Sequence, residues 1–214
     1  YILNMSVKSH IASELLKIEA IKLNPKNPFS WSSGWKSPIY CDNRMTLSYP
    51  ELRTFIKNAF KEEILSRYPE VESIAGVATA GIPQGALVAD ALELPFIYVR
   101  SKAKGHGMTN LIEGEVRTGQ KVVVIEDLIS TGGSSIKAAL ALREAGLEVL
   151  GLGAIFTYGF PHASANFAAK NLDFFTLSDY SAMLTPAVEM GYVNEDDLQS
   201  LSEWREKPEE WGKA

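Results

Sequence analysis

The chain has 214 residues, 46% of them hydrophobic and 22% charged, with a net charge of −5. That length supports a single domain with a full core, so neither disulfides nor a structural metal is needed for folding. A single cysteine, Cys41, excludes an intramolecular disulfide and a Cys-rich zinc site, and the three histidines (His10, His106 and His162) are too scattered for a metal motif. No apolar run approaches a membrane span, and no basic-then-apolar leader is visible. Met5 reads as the natural start, with residues 1–4 as an appended extension, and a cytoplasmic location is expected. The charge is uneven: residues 189–214 carry eight acids and three bases, which accounts for the whole −5. A neutral body with an acidic tail argues against a nucleic-acid surface. The tail reads as a solvated helix without a functional role.

Residues 5–22 place apolar side chains at 7, 11, 15, 18 and 21, the spacing of an amphipathic helix. The next stretch, NPKNPFSWSSGWKSPIYCDNR (24–44), reads as a loop rich in proline, serine and tryptophan. Such a loop lines a site or plugs a core edge. A second helix is predicted over 50–67, with Pro50 in its first turn and Leu52, Phe55, Ile56, Ala59, Phe60 and Ile64 on one face. The pattern then alternates: strand 73–78, helix 81–93, strand 94–100, strand 121–127, helix 134–146 with Gly146 as its C-terminal cap, strand 147–159 and strand 172–178. Several strands are apolar on both faces. An α/β fold follows, with a mostly parallel central sheet flanked by helices. The first 45 residues stand outside the alternation. The expected division is a hood over 1–45, on which part of the C-terminal segment has room to pack, a core over 46–190, and an acidic helical tail over 191–214. The polar, glycine-bearing stretch 101–119 reads equally as a mobile lid and as a surface hairpin.

The informative segment is VVVIEDLISTGGSSIKAAL (122–140): a buried strand, two carboxylates, a Ser-Thr-Gly-Gly-Ser turn and a helix. Ligands of open parallel sheets bind beyond the carboxyl ends of the strands. Ser130, Thr131 and Ser134 offer hydroxyls, while Gly132 and Gly133 clear the way to backbone N–H groups. Together with the positive end of the following helix, these groups suit a phosphate. The turn lacks the lysine of a P-loop and the glycine spacing of a dinucleotide fingerprint, so it reads as a cradle for one phosphate. Glu126 and Asp127 would repel a phosphate but suit sugar hydroxyls or hydrated magnesium. A sugar phosphate with vicinal hydroxyls satisfies both halves.

This strand, acidic pair and Thr-Gly-Gly turn resembles the signature of type I phosphoribosyltransferases, which bind phosphoribosyl pyrophosphate (PRPP). YVRSKAKGHG (98–107) and FSWSSGWKSPIYCDNR (29–44) resemble the loop and the N-terminal base-binding segment of the orotate phosphoribosyltransferases. The likeness runs from about residue 5 to 190. It implies a type I phosphoribosyltransferase fold with an N-terminal hood. It also implies a pentosyltransferase that uses Mg2+ and moves phosphoribosyl from PRPP to orotate, giving orotidine 5′-monophosphate and pyrophosphate in pyrimidine (UMP) biosynthesis. For PRPP it implies Arg100, Lys104, His106, Glu126, Asp127, Leu128, Ile129, Ser130, Thr131, Gly132, Gly133 and Ser134, with Ala80 and Gly81 of the ATAGIP segment (78–83). For orotate it implies Ser130, Ser33, Gly34, Lys36 and Tyr40, and as the catalytic group Lys104, His106 and Asp127. No direct protein ligand to the metal is implied: Mg2+ arrives on PRPP, near Glu126 and Asp127. A homodimer is implied too, with loop 100–115 reaching into the neighbour's site, and neither nucleic acid nor membrane as partner. The chain departs from the lysine-bearing pattern of some members at Ser32, Ala80 and Ser101, and Lys102 is a candidate substitute for one of those charges.

Two other classes compete. A purine phosphoribosyltransferase would keep 126–134 without the other two segments. A PRPP-sensing regulator would lose the loop and add a basic surface. Taken singly, Arg100, Lys102 and Lys104 read as a solvated hairpin, Trp31 and Trp35 as core, and Cys41 as a small pocket or core residue rather than a nucleophile.

Overall fold

In the computed structural model, which describes residues 6–31, 33–102 and 111–212, the chain opens with a capped helix. Ser6 accepts the Ser9 N–H at 3.2 Å, and α1 (Val7–Lys17) buries Ile11, Ala12, Leu15 and Leu16. The helix stops short of the expected residue 22, because Glu19 turns left-handed (φ 56°) and Ile21–Leu23 becomes strand β1. Ile21 is buried through strand pairing, although its spacing fits the helix. β2 (Phe29–Ser30) and β3 (Lys36–Ser37) form a hairpin whose turn uses Gly34 at φ +86°, and β4 (Ile39–Cys41) pairs antiparallel with β1. The stretch read as a loop is therefore two small ladders. Strands of two or three residues are too short to show alternation.

Helix α2 (Pro50–Arg67) has its predicted bounds and buries the predicted face except Phe55, which stays exposed with its ring edge on His10. Then follow β5 (Ser73–Val77), α3 (Gly81–Leu92), β6 (Phe96–Val99), β7 (Ile112–Glu113), β8 (Lys121–Ile129), α4 (Gly133–Glu144), β9 (Glu148–Thr157), α5 (Pro161–Ala168) and β10 (Phe174–Asp179). One six-stranded sheet results, in the order β10-β9-β8-β5-β6-β7, parallel throughout except where β7 pairs with β6. All five residues of β5 are buried, as are Val122 to Glu126 of β8, so both faces of the sheet's centre are covered. The chain goes from β5 to β6 on one side and from β8 through β9 to β10 on the other. The order therefore reverses between β5 and β8. The crevice beyond their carboxyl ends is a topological switch point, where open α/β sheets bind ligands.

Two further helices follow, α6 (Tyr180–Glu189) and α7 (Leu198–Glu206). Neither α5 nor α6 is among the predicted elements: one has only eight residues and the other carries Pro186 inside it. Helix α7 corrects the reading of the tail as a solvated helix. Leu201 and Trp204 are fully buried, and the Trp204 ring lies 5.2–5.7 Å from Trp31, Tyr158, Phe160 and Tyr180. Trp211 donates to Ser200 Oγ at 3.2 Å, and Gly212 lies beside Lys36 of the hood. Two apolar anchors in an acidic background are a weak sequence signal, yet they fasten the tail to the core. Among the described residues no helix is long and apolar enough to cross a membrane.

Candidate functional site

Strand β8 runs on past Asp127, with Leu128 opposite Phe156 and Ile129 opposite Thr157, so the turn starts at Ser130. Gly132 has φ +81°, a left-handed conformation that favours glycine, and no side chain caps α4. The first N–H groups of α4 therefore keep their donors for a ligand, at the positive end of the helix. Neighbouring elements pin the turn. Thr157 Oγ1 and the Tyr158 N–H donate to the Ile129 carbonyl at 3.0 and 3.3 Å, and Asn166 Nδ2 donates to the Thr131 carbonyl at 3.4 Å. Ile129 is 1% exposed, so only its backbone faces any ligand. Gly133 and Ser134 are exposed.

Across the switch point, Ala80 and Gly81 begin α3. A Cβ on Gly81 would lie 2.5 Å from the Ile125 carbonyl oxygen and 3.2 Å from Glu126 Cα. Only glycine lets the second loop come this close to the acidic pair. Glu126 is 5% exposed; its Oε1 accepts the Asp127 N–H at 3.0 Å and its Oε2 accepts the Ser135 hydroxyl at 3.3 Å. Burial, reinforced by the neighbouring Asp127 charge, pushes the Glu126 carboxyl well above the ordinary range. Burial raises Asp127 as well. Burial of both carboxyls therefore disfavours the doubly ionised pair in the ligand-free protein.

Beside the turn lies a cavity of about 560 Å3 lined by Ser30, Trp31, Ser33, Trp35, Tyr40 and Cys41 of the hood, Ser130 and Thr131 of the turn, and Tyr158 after β9. Flat aromatic walls with scattered hydroxyls suit a planar polar ring. Burial keeps the Tyr158 phenol protonated and available as a donor. Burial, with the charges of Asp127 and Asp42, raises the Cys41 thiol, so it is not a thiolate nucleophile.

Of the residues assigned to a base, Ser33, Tyr40 and Ser130 line the cavity. Gly34 shapes the hairpin turn, and Lys36 donates to Ser30 Oγ at 2.9 Å from outside the lining. Arg100 directly follows β6 and pairs with Glu113 at 3.3 Å. Lys104, His106 and Ser32 lie outside the described residues.

The sequence gives little reason to single out Asn43, yet it ties the site together. It is fully buried; its Nδ2 donates to the Asp127 carbonyl at 2.7 Å, and its Oδ1 accepts the Cys41 thiol at 3.3 Å. Its own carbonyl accepts the Thr46 hydroxyl at 2.7 Å, and Gln84 Nε2 of α3 donates to Thr46 Oγ1 at 3.0 Å. One buried chain thus joins the hood, the acidic pair and the helix after the second loop. The polar Asp-Asn-Arg run directly after an apolar triplet is the only signal of it in the sequence. Asn43→Ala is expected to cost about 1–3 kcal/mol, because it leaves the Asp127 carbonyl unpaired. A urea denaturation midpoint equal to that of the unaltered protein would contradict this.

Comparison with known proteins places the chain in a family. The phosphoribosyl transferase domain family matches residues 49–173. Orotate phosphoribosyltransferase of Bacteroides fragilis is 59% identical over 200 residues, covering 94% of this chain and 94% of that one. The crystal structure of orotate phosphoribosyltransferase from Aeropyrum pernix superposes with a TM-score of 0.74 at 28% identity, over 86% of this chain and 99% of that one. UMP synthase of Leishmania donovani superposes with a TM-score of 0.78 at 26% identity, over 92% of this chain but 42% of the longer one. The fold is that of the type I phosphoribosyltransferases, and the chain belongs to the orotate phosphoribosyltransferase family.

Proposed function

We propose that this chain transfers phosphoribosyl from PRPP to orotate in a Mg2+-dependent reaction, giving orotidine 5′-monophosphate and pyrophosphate for pyrimidine (UMP) biosynthesis. The observation that carries the reading is the junction at Ser130 and Thr131. These two residues both line the aromatic cavity and open the glycine turn. With the base in the cavity and the 5′-phosphate in the turn, the anomeric carbon lies between them, beside the acidic pair.

The chemistry follows from the residue types. An orotate nitrogen forms the new bond to the anomeric carbon as the bond to pyrophosphate breaks, through an oxocarbenium-like state. Glu126 and Asp127 accept hydrogen bonds from the ribose hydroxyls and favour the developing positive charge. Arg100 and Lys104 neutralise charge on the departing pyrophosphate, and His106 donates a hydrogen bond or proton to it. Closure of the 100–115 loop keeps out water that would hydrolyse PRPP. Among the described residues no cluster of three or more His, Cys, Asp or Glu could hold a metal. Two adjacent carboxylates at the crevice instead fit a hydrated Mg2+ carried in on a diphosphate. When bound, Mg2+ adds positive charge at the phosphates.

The test is a panel of bases. With PRPP and Mg2+, nucleotide is expected from orotate but not from uracil, adenine, hypoxanthine or xanthine, and is expected to cease when EDTA is added. Product from a purine would discard the base-cavity assignment, and PRPP binding without product from any base would make the chain a sensor.

The raised Glu126 pKa gives a signed prediction. Folded Glu126 keeps its proton above about 4.5, the ordinary value at which the unfolded chain releases it. Its contribution to stability therefore falls as pH rises through and above that value. Ribose hydroxyls favour the ionised form, so PRPP binding is expected to release a proton near pH 7. Titration calorimetry in two buffers of different ionisation enthalpy reads this release, and Glu126→Gln is expected to reduce it. Equal release by variant and unaltered protein would contradict the assignment.

The proposal extends to a homodimer in which loop 100–115 completes the neighbour's site. Mixing inactive Lys104→Ala and Asp127→Asn proteins, with exchange of subunits, is expected to restore part of the activity. No recovery despite exchange would contradict sharing.

A further inference from the structure

We propose that Lys137 is a further substrate-binding residue, supplying a cation to the pyrophosphate end of PRPP; this rests on the function proposed above. A second cavity, of about 100 Å3, lies where the end of β5, the end of β6 and the start of α4 meet, and Ala78, Arg100, Ser101, Ser134 and Lys137 are among its walls. Ser134 closes the turn assigned to the 5′-phosphate. Lys137 sits three residues further along α4, one turn on and on the same face. A substrate anchored by its 5′-phosphate in that turn directs its diphosphate toward β5 and β6, and so toward this cavity.

A diphosphate requires positive charge there. Ser101 brings none. Arg100 is half-buried and shares its charge with Glu113 at 3.3 Å. Lys102 is exposed and is not among the residues lining this cavity. Lys137 does line it, and it forms no ion pair among the described residues. Its flexible stem lets an ammonium follow a phosphate as a mobile point charge. A lysine serving only to solvate the helix would have no effect on anion affinity, and this separates the two roles.

The probe is inorganic pyrophosphate with Mg2+, titrated by calorimetry and paired with steady-state kinetics at saturating orotate. Lys137→Ala is expected to weaken pyrophosphate binding about tenfold and to raise KM for PRPP by a similar factor, with KM for orotate and Tm unchanged. Lys137→Arg is expected to stay within about threefold of the unaltered protein, because the charge is retained. Unchanged pyrophosphate affinity in a folded Lys137→Ala protein, while the unaltered chain binds pyrophosphate and makes nucleotide, would overturn the Lys137 assignment alone. An unaltered chain that neither binds pyrophosphate nor makes nucleotide would overturn both readings.

Discussion

Gly132→Ala is expected to weaken PRPP binding by about a hundredfold or more. Two costs coincide at this residue. Its φ of +81° is left-handed, and a side chain there costs roughly 1–2 kcal/mol. The added Cβ would also lie 2.5 Å from Phe167 Cε2. Phe167 is 1% exposed and packs on Phe174 with ring centroids 4.4 Å apart, so the ring has little room to yield. Overpacking of that kind costs roughly 1–3 kcal/mol more. The turn relieves both costs by opening, which scatters the N–H groups meant for the phosphate. Gly133→Ala is the contrast: the nearest atom to its added Cβ is Thr131 Oγ1 at 3.9 Å, and no left-handed φ is required. That variant is expected to keep its Tm. Calorimetric titration with PRPP and thermal melts of both variants check the pair. Undiminished PRPP affinity in Gly132→Ala would remove the turn from the phosphate site.

Trp204→Ala is expected to cost about 3–5 kcal/mol, as for a fully buried tryptophan, and to lower Tm by roughly 10 °C. The loss also has a functional direction. Trp204 backs Trp31 and Tyr158, which line the cavity proposed for the base, whereas among the described residues no hydrogen bond connects it to the glycine turn. KM for orotate is therefore expected to rise more than KM for PRPP. Among the described residues Trp204 Nε1 has no hydrogen-bond partner, so Trp204→Phe loses volume without losing a bond and is expected to cost much less. A Trp204→Ala protein that melts with the unaltered one would return the tail to the solvated helix that its charge suggests.

The contrast between Gly132 and Trp204 marks what could be read from the sequence. The turn proposed for the phosphate is local: a strand, two acids and two glycines in succession, with the strand apolar on both faces because it is central in the sheet. Contiguous chemistry of that kind is visible without coordinates. The parallel sheet was legible for the same reason, since β5, β8 and β9 each contain a continuous apolar run. The aromatic cavity is not local. Its walls come from the hood, from Ser130 and Thr131, and from Tyr158, and Trp204 supports them from the far end of the chain. Only the topology brings these together. The hood strands fell below the length at which alternation appears, and Ile21 fitted the period of α1 although it belongs to β1. Asn43 was hidden for another reason: a buried amide acts through the carbonyl it bonds, 84 residues away, and that pairing leaves no periodic trace.

One nucleotide is expected to span the glycine turn, the acidic pair and the aromatic cavity. A crystal structure of the protein with orotidine 5′-monophosphate tests it most directly. The phosphate is expected on the N–H groups of residues 131–134, the ribose hydroxyls on Glu126 and Asp127, and the pyrimidine ring among Trp31, Tyr40, Cys41 and Tyr158. A phosphate bound away from the turn, or a base lying outside that cavity, would contradict it.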